Sequence, residues 1–254
     1  MSEFQKITAI IIKKFNIGES NQLLTVISPE EGLIKLKARG VKKISSKNSP
    51  HLQSLNYVKL NTVKGKTDLR IIAAVDCLEH YKNIKTDLSK IIFAEFLTEH
   101  YLLLVGDDVN QQNFKLLLDS LKYLNNQQKM TNSSMDLIYI WLIINILISS
   151  GRRPELYVCS QCQNKVLRNS RIIFNPKYGG IICENCQKDD RMGFEVTEYT
   201  VKLFRLLPNI DIQDLNKITL DKKTDNLKIL NSYIKHYLED IIKSEKLFND
   251  LVQK

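Results

Sequence analysis

Hydrophobic and polar residues alternate along the first third of the chain, as they do in β-strands that bury one face. Turn-forming stretches such as Asn16-Ile17-Gly18 separate these alternating segments. Strands are therefore predicted over residues 7–15, 23–27, 33–39, 55–63 and 69–75. Five short strands favour a small closed barrel, of which the OB-fold is the five-stranded example. An SH3-like barrel is the main alternative.

From residue 79 onward the spacing of hydrophobic residues becomes helical. Helices are predicted at about 87–105, 114–126, 133–150, 199–207 and 225–251. The third of these is apolar on nearly all sides, so we expect it at the centre of a helical bundle. Asp87 and Thr197 stand at the expected starts of the first and fourth helices, and Pro208 stands at the end of the fourth.

Four cysteines form two Cys-x2-Cys pairs, Cys159 with Cys162 and Cys183 with Cys186. Two such pairs supply the four soft ligands of a tetrahedral structural zinc ion. Two disulfides, a catalytic zinc site and an iron–sulfur cluster are the alternatives. Four thiolates leave no open position on a catalytic zinc, and nothing in the sequence indicates the oxidising compartment that disulfides need. One structural Zn²⁺ is therefore favoured.

The segment between the two cysteine pairs predicts a small ribbon. The apolar residues 172–174 and 181–182 flank a turn with Gly179-Gly180, which indicates two short strands that return the second pair to the first. Helices are predicted on both sides, so this module interrupts a helical domain. The predicted fold is multidomain α+β: an N-terminal five-stranded OB-fold barrel, a helical domain and an inserted four-cysteine zinc module. The predicted boundaries are 1–78 for the barrel, 79–150 and 191–254 for the helical domain, and 151–190 for the zinc module.

The chain is basic, with 37 Lys and Arg against 28 Asp and Glu and a net charge of +9. Residues 1–78 hold 13 basic and 6 acidic residues, so +7 of that charge belongs to the predicted barrel. Such a concentration favours polyanions, with nucleic acid first and acidic membrane surfaces second.

The third predicted strand and the loop after it carry the most informative charges. Apolar residues alternate with basic ones in this strand, so one face is expected to be cationic. The candidates for phosphate contacts are Lys35, Lys37, Arg39, Lys42, Lys43 and Lys47. Each phosphate that they neutralise would release condensed counterions. The alternative is a solvated strand face with a mobile loop. Phe15 and Tyr57 could stack on bases, or they belong to the core or rim.

The sequence contains no phosphate-binding G-x-x-x-x-G-K-[ST], G-x-G-x-x-G, H-E-x-x-H or G-x-S-x-G motif. Its histidines are scattered, at His51, His80, His100 and His236. Cys77 stands alone, and a small buried side chain is favoured over a nucleophile there. No signal peptide is recognised, and the longest apolar stretch, 137–148, is too short to span a bilayer. We therefore expect a cytoplasmic, non-catalytic protein with reduced cysteines and no membrane partner.

Several short motifs occur in a characteristic order along the chain. They are Gly18-Glu19-Ser20, Ser28-Pro29-Glu30-Glu31-Gly32-Leu33-Ile34, Ala38-Arg39-Gly40-Val41-Lys42-Lys43, Leu52-Gln53, Ala94-Glu95-Phe96-Leu97, Ser150-Gly151-Arg152-Arg153-Pro154-Glu155-Leu156 before Cys159, and Gly179-Gly180-Ile181-Ile182 before Cys183. In this order and with the cysteine quartet, the sequence resembles the RecO family of bacterial DNA repair and recombination mediators over nearly the whole chain. Arg153 is a departure, because the family more often has an aromatic or small residue there. Some members lack the four cysteines.

The resemblance implies proteins that bind single- and double-stranded DNA and anneal complementary strands without catalysis. It implies that RecR is a partner and that the two together help load RecA onto DNA coated by single-strand-binding protein. The acidic, apolar C-terminal tail of that protein is expected to dock on the helical domain. A nucleoid-associated location follows. Further basic residues beside the zinc module could extend the DNA path: Arg152, Arg153, Arg168 and Arg171.

Three other functions compete with this interpretation. An RNA-binding zinc-ribbon protein would use the same basic barrel, and affinities for matched RNA and DNA strands would distinguish it. A non-catalytic interaction scaffold would tolerate charge reversal on the barrel. An enzyme is least favoured, because no acid–base or nucleophile constellation is present.

Overall fold

The structure is a computed structural model that describes residues 4–65, 69–166, 170–187, 192–221 and 225–238. The chain divides into two compact units. One comprises Met1–Ala94 and Val105–Asn126, and the other comprises Glu95–Leu104 and Gln127–Lys254.

The first unit contains the predicted barrel. Its strands are β1 (Phe4–Ile17), β2 (Asn21–Ser28), β3 (Gly32–Ala38), β4 (Tyr57–Val63) and β5 (Arg70–Glu79). They close in the order β1-β2-β3-β5-β4, with β3 and β5 parallel and the other neighbours antiparallel. Inward-facing aliphatic side chains, among them Ile11, Leu24 and Leu36, fill the barrel. The five-stranded OB-fold prediction is confirmed.

Some predicted strand limits are wrong by a few residues. Leu55 lies before β4 because it has a left-handed φ of 65°, which a continuous strand does not allow. Arg39 follows the end of β3 and precedes Gly40, whose φ is 63°. The last strand, β5, continues past residue 75 to Glu79 and therefore includes Cys77.

One short helix and two long helices follow the barrel. Helix α1 (Lys82–Lys85) leads into α2 (Leu88–Val105), and α3 (Gln111–Asn126) comes next. Asp87 caps α2, since its Oδ1 accepts from the Ser89 amide at 2.9 Å. Helix α3 belongs to the same compact unit as the barrel, whereas the predicted boundaries place it in the helical domain. The domain boundaries at residues 78, 150 and 190 remain predictions.

The second unit is built around α4 (Asn132–Ser149), which is buried on almost every side. The predicted central helix is thus confirmed. Thr131 caps its N-terminus, and Ser134 completes a capping box with Thr131. Helix α5 (Glu198–Leu206) is capped by Thr197, as predicted. Helix α6 (Asn226–Tyr237) ends at Leu238, whose backbone is extended with φ −129° and ψ 122°, so the predicted unbroken helix to residue 251 is wrong at this point. The rest of the predicted span, 239–251, lies outside the described residues.

Helix α4 is the one described helix that is long and apolar enough to cross a membrane. The core helix of a globular unit passes the same test, and 61% of α4 is buried inside the protein. The Trp141 indole also donates to the Ile210 carbonyl at 2.9 Å, which fixes α4 within its unit. Its apolar character is explained by this packing.

Candidate nucleic-acid interface and metal centre

The four-cysteine module is a small sheet of β6 (Ile172–Asn175), β7 (Gly180–Cys183) and β8 (Phe194–Val196), in the order β7-β6-β8. The two predicted strands are β6 and β7, which pair antiparallel as expected, whereas β8 was missed. Strand β8 has only three residues, so its sequence gives little periodic signal. Together the strands bring the second cysteine pair back to the first.

Gly180 lies so close to the Glu155 backbone that a side chain at this position would clash with it. A Cβ at this position would lie 2.1 Å from the Glu155 carbonyl oxygen. The Ile181 amide donates to that same carbonyl at 2.8 Å, which ties the segment before the first cysteine pair to β7. The close approach of two backbones therefore sets the distance between the two cysteine pairs.

The sulfur atoms of Cys159, Cys162, Cys183 and Cys186 all lie within 4.8 Å of one another. The Cys162 and Cys183 sulfurs are 3.9 Å apart. Sulfurs bound to one tetrahedral zinc at about 2.3 Å are about 3.8 Å apart, so this arrangement fits such an ion. The four residues could hold a metal ion without a change of backbone.

The electrostatics of the quartet also favour a cation. Burial opposes ionisation of the Cys159 thiol, but the backbone N–H groups of Cys162, Cys183 and Gln161 outweigh it and lower the pKa of Cys159 to about 6. The contact with Cys183, more than any other cause, raises the pKa of Cys186 to about 12. Several thiolates this close repel one another unless a positive ion lies among them.

The outer face of the barrel carries the predicted basic residues. On β3, Lys35 is exposed and Lys37 half-buried, while Leu36 and Ala38 point into the core. The register joins outward residues into two rows that cross the strands. One row is Lys13, Thr25 and Lys35, and the other is Phe15, Leu23, Lys37 and Ile71. We call these two rows the basic face.

Lys13 and Phe15 reach this face because of a bulge in β1 between Ile11 and Lys13. Up to Ile11 the odd-numbered residues of β1 face the core, and after the bulge the odd-numbered residues face outward. Phe15 is 55% exposed as a result. Strict alternation along residues 7–15 would place both side chains in the core, so sequence reasoning missed Lys13 and ranked Phe15 as core or rim.

The loop between β3 and β4 begins at the basic face and is anchored to the barrel. Val41 and Leu52 are buried in the barrel core. The Gly40 amide donates to Asn21 Oδ1 at 2.9 Å, and the Lys42 amide donates to the Ser20 carbonyl at 3.1 Å. The loop side chains Lys42, Lys43 and Lys47 are exposed, as is Arg39. Within the described parts of the chain, none of these basic side chains is paired with a carboxylate.

The second predicted group of basic residues is less uniform. Arg152 and Arg153 are exposed, and the Arg153 guanidinium lies 5.4 Å from the centre of the Tyr157 ring. Arg171 is paired with Glu195 at 2.8 Å, so part of its charge is neutralised. Arg168 lies outside the described residues. The three described arginines, Arg152, Arg153 and Arg171, do not form a row across paired strands as Lys13 and Lys35 do on the barrel.

An open cavity of about 640 Å³ lies beside the four-cysteine module. Its apolar part includes Val158, Ile181 and Val201. The charged residues that line it are Lys165 and Arg205, which have no carboxylate partner among the described residues, and the two ion pairs Arg171–Glu195 and Lys202–Glu198. Arg205 donates to the Leu156 carbonyl and stacks 4.6 Å from the centre of the Tyr157 ring. An apolar chain with negative charge would match this lining.

A second group of metal-ligand residues was not foreseen. His51 lies in the loop after β3, and Cys77 and His80 lie three residues apart at the end of β5, yet one ligand atom of each lies within 4.8 Å of the others. The sequence does not connect His51 with the Cys77-x2-His80 pair, because the two segments meet only in the closed barrel.

An OB-fold barrel with an unpaired basic face, together with a second unit that carries four clustered cysteines able to hold a metal ion, defines a class of two-unit α+β proteins. Comparison with known sequences narrows this class. The family model described as Recombination protein O N terminal matches residues 1–81, and the one described as Recombination protein O C terminal matches residues 85–246. The chain belongs to the RecO family.

Similar proteins carry the same family name. A DNA repair protein RecO from Dehalococcoides mccartyi is 31% identical over 219 residues, which covers 86% of this chain and 83% of the relative. DNA repair proteins RecO from Roseiflexus sp. and Bacillus pumilus are each 28% identical. These matches cover 96% and 97% of this chain, and 85% and 94% of the respective relatives. The resemblance inferred from the short motifs is thereby confirmed.

Proposed function

We propose that this chain acts in DNA repair and recombination as a non-catalytic mediator that binds single- and double-stranded DNA and anneals complementary strands. The observation that carries the proposal is the basic face, whose two neighbouring rows hold Lys13, Lys35 and Lys37 together with the exposed ring of Phe15. OB-folds bind single strands by combining cations that follow the phosphates with aromatic rings on which bases stack.

The charge arrangement supports binding without sequence specificity. The loop lysines Lys42, Lys43 and Lys47 continue the basic face away from the strands, and lysines contact phosphates as point charges. A protein that neutralises the phosphates of two strands lowers the repulsion between them, which favours annealing. Arg152 and Arg153 are candidates for further DNA contacts on the second unit, and Arg168 and Arg171 are weaker candidates.

The four-cysteine module is proposed to hold one structural Zn²⁺. Its ligands would be Cys159, Cys162, Cys183 and Cys186, and the ion would supply cross-linking of the two cysteine pairs rather than chemistry on DNA. The module itself has a small apolar core of Cys159, Ile173 and Ile182, so the metal would contribute much of its stability.

Partners are proposed from the family. A mediator of this kind would work with RecR and, through it, assist RecA on DNA coated by single-strand-binding protein. The cavity beside the four-cysteine module, with its apolar residues and with Lys165 and Arg205, is a candidate for the acidic, apolar tail of that protein. Because the substrate is chromosomal DNA, we expect a cytoplasmic, nucleoid-associated location.

The test is annealing of two complementary oligonucleotides across a salt series without nucleotide. The variant K35E/K37E/K43E should lose most of the acceleration, and its plot of log affinity for a single strand against log salt should be shallower by about 2, from about 0.7 for each lost phosphate contact. Far-ultraviolet circular dichroism checks that the variant remains folded.

The matched control is K82E/K122E/K129E, which changes the net charge by the same amount at exposed sites outside the basic face. It should keep annealing activity at moderate salt. If both variants lose activity equally, net charge rather than the basic face is responsible and the proposal is wrong. Tighter binding to a matched RNA strand than to DNA would favour the RNA-binding alternative.

A further inference from the structure

A second possible metal centre lies in the first unit, away from the four paired cysteines. His51 belongs to the loop between β3 and β4, Cys77 lies in β5, and His80 follows the end of β5. All three residues are half-buried. One ligand atom of each residue lies within 4.8 Å of the other two, as the sulfur atoms of the four-cysteine module do.

The backbone holds each of these residues in place. The Asn56 side-chain amide donates to the His51 carbonyl at 2.7 Å, and the His51 amide donates to the Asn48 carbonyl at 3.1 Å. Cys77 pairs with Val58 in the barrel sheet. The His80 amide donates to the Glu79 carboxylate at 3.2 Å. The three donor atoms are therefore carried on anchored backbone positions and already lie within 4.8 Å of one another.

The side chains lack better partners. Nδ1 of His51 is enclosed and has no hydrogen-bond partner among the described residues. A buried ring nitrogen without a partner is costly, and a bound cation would satisfy it. The Cys77 thiol makes weak contacts with backbone oxygens, 3.4 Å to Glu79 and 3.8 Å to Tyr57, and it also interacts electrostatically with Lys85. The two imidazole rings are 5.8 Å apart at their centres and tilted by 38°, which is not a stacked arrangement.

We propose that His51, Cys77 and His80 form a metal site that takes a borderline-soft transition-metal ion such as Zn²⁺. Two imidazoles and one thiolate are the donor set that such ions prefer over Mg²⁺ or Ca²⁺. Three protein ligands leave one coordination position for water. The ion would join the end of the loop between β3 and β4 to the end of β5. This site is independent of the four cysteines and of the proposed DNA binding.

The first measurement follows the alkylation of Cys77 in the intact wild-type chain. Peptide mapping by mass spectrometry separates Cys77 from the other four cysteines. Bound zinc blocks the thiolate, so excess Zn²⁺ should slow alkylation of Cys77 by at least about tenfold relative to chelator-treated protein. Equal rates with and without zinc would overturn the proposal, whatever happens at the other four cysteines.

The second measurement uses variants and Co²⁺ as a spectroscopic probe. In the chain with Cys159, Cys162, Cys183 and Cys186 all replaced by serine, Cys77 is the sole thiol. A thiolate-to-cobalt absorption band in this variant can come from Cys77 alone. Adding H80Q should abolish the band, whereas adding H236Q, which changes a histidine of α6, should leave it. No band in the folded variant would contradict the proposal.

If the fourfold serine variant does not fold, metal content decides. The wild-type chain after reconstitution should hold one zinc more than C77S or H80Q, and H236Q should match the wild type. Equal zinc content in the wild type, C77S and H80Q would overturn the proposal.

Discussion

At the scale of single side chains, the basic face separates two contributions to DNA binding. Phe15 and Lys37 lie in one row across β1, β2 and β3. An aromatic ring contributes stacking that salt hardly affects, whereas a lysine contributes a charge whose effect falls with salt. The two residues can therefore be distinguished by the salt dependence of their variants.

We expect F15A to weaken single-strand binding by about fivefold to 100-fold, since stacking contributes about 1–3 kcal/mol per base. The slope of log affinity against log salt should stay that of the wild type. Fluorescence anisotropy with a labelled single strand measures both quantities. The control is F4A, because Phe4 is 65% exposed and lies near the other end of β1. Equal losses in F15A and F4A would argue against stacking on Phe15.

Two ionisable groups in the second unit, the half-buried Asp136 and the buried His100, make stability depend on pH in opposite directions. Burial, helped by the negative charge of Asp225, raises the pKa of Asp136 to about 6. Burial lowers the pKa of His100 to about 4, although its hydrogen bond to the Phe96 carbonyl opposes this. Asp136 costs stability as pH rises from about 4 to 6, because the folded state resists its ionisation. His100 costs stability as pH falls from about 6.5 to 4, because the folded state resists its protonation.

The variant D136N should remove one of these opposing effects. Relative to the wild type it should gain about 1–2 kcal/mol at pH 7, after allowance for partial solvent screening, and nothing near pH 4. The free energy of unfolding of D136N should therefore rise more steeply with pH than that of the wild type. Urea unfolding between pH 4.5 and 7.5 measures this. Parallel curves for the two proteins would contradict the assignment, and D214N, at an exposed site, should change stability little.

At the scale of secondary-structure elements, the alternation of hydrophobic and polar residues predicted where the strands lie. It did not predict the position at which a bulge reverses which residues face the core. The five strands of the barrel were found because each has an apolar face that fills the core. The bulge in β1 leaves no signal in residue types, so the outward position of Lys13 and Phe15 could not be derived. The left-handed residue Leu55 was likewise placed in a strand because leucine is not a residue that marks a turn.

The four cysteines could be predicted because zinc ligands have a recognisable spacing. The ribbon between them was predicted from its apolar runs and its Gly179-Gly180 pair, and the structure adds the reason for Gly180. Cys77 and His80 are also separated by two residues, but His51 has no recognisable spacing to that pair. They meet because the barrel closes, and closure depends on contacts between residues far apart in sequence.

At this scale we expect G180A to disturb the four-cysteine module. Its Cβ would push β7 away from the Glu155 backbone, which should cost about 1–3 kcal/mol and displace Cys183. Zinc should then pass from G180A to a chromogenic chelator faster than it passes from the wild type. The control is G179N, since Gly179 has a φ of 75° that asparagine tolerates. Zinc release from G180A at the wild-type rate would show that the two backbones can separate without loss.

At the scale of the whole molecule, the basic face and the four-cysteine module belong to different compact units. The barrel has its own core of inward-facing aliphatic residues, and none of the four cysteines contributes to it. The proposed division of labour is therefore DNA binding by the first unit and metal-dependent stability in the second. A variant that removes one should spare the other.

We expect C159S to lose one zinc per chain and to lower the thermal stability of the second unit, because Cys159 is fully buried and its thiolate would be a ligand. The affinity of C159S for single-stranded DNA should change by less than about threefold, which is under about 0.7 kcal/mol. The variant K35E/K37E/K43E should show the converse, with weak DNA binding and an unchanged zinc content. Metal analysis, calorimetry and anisotropy on the same preparations compare the two variants. If C159S lost DNA binding as completely as the lysine variant, the module would have to contribute to the DNA interface, and Arg152 and Arg153 would be the first residues to replace. Normal zinc content and stability in C159S would instead mean that the quartet is not a structural metal site.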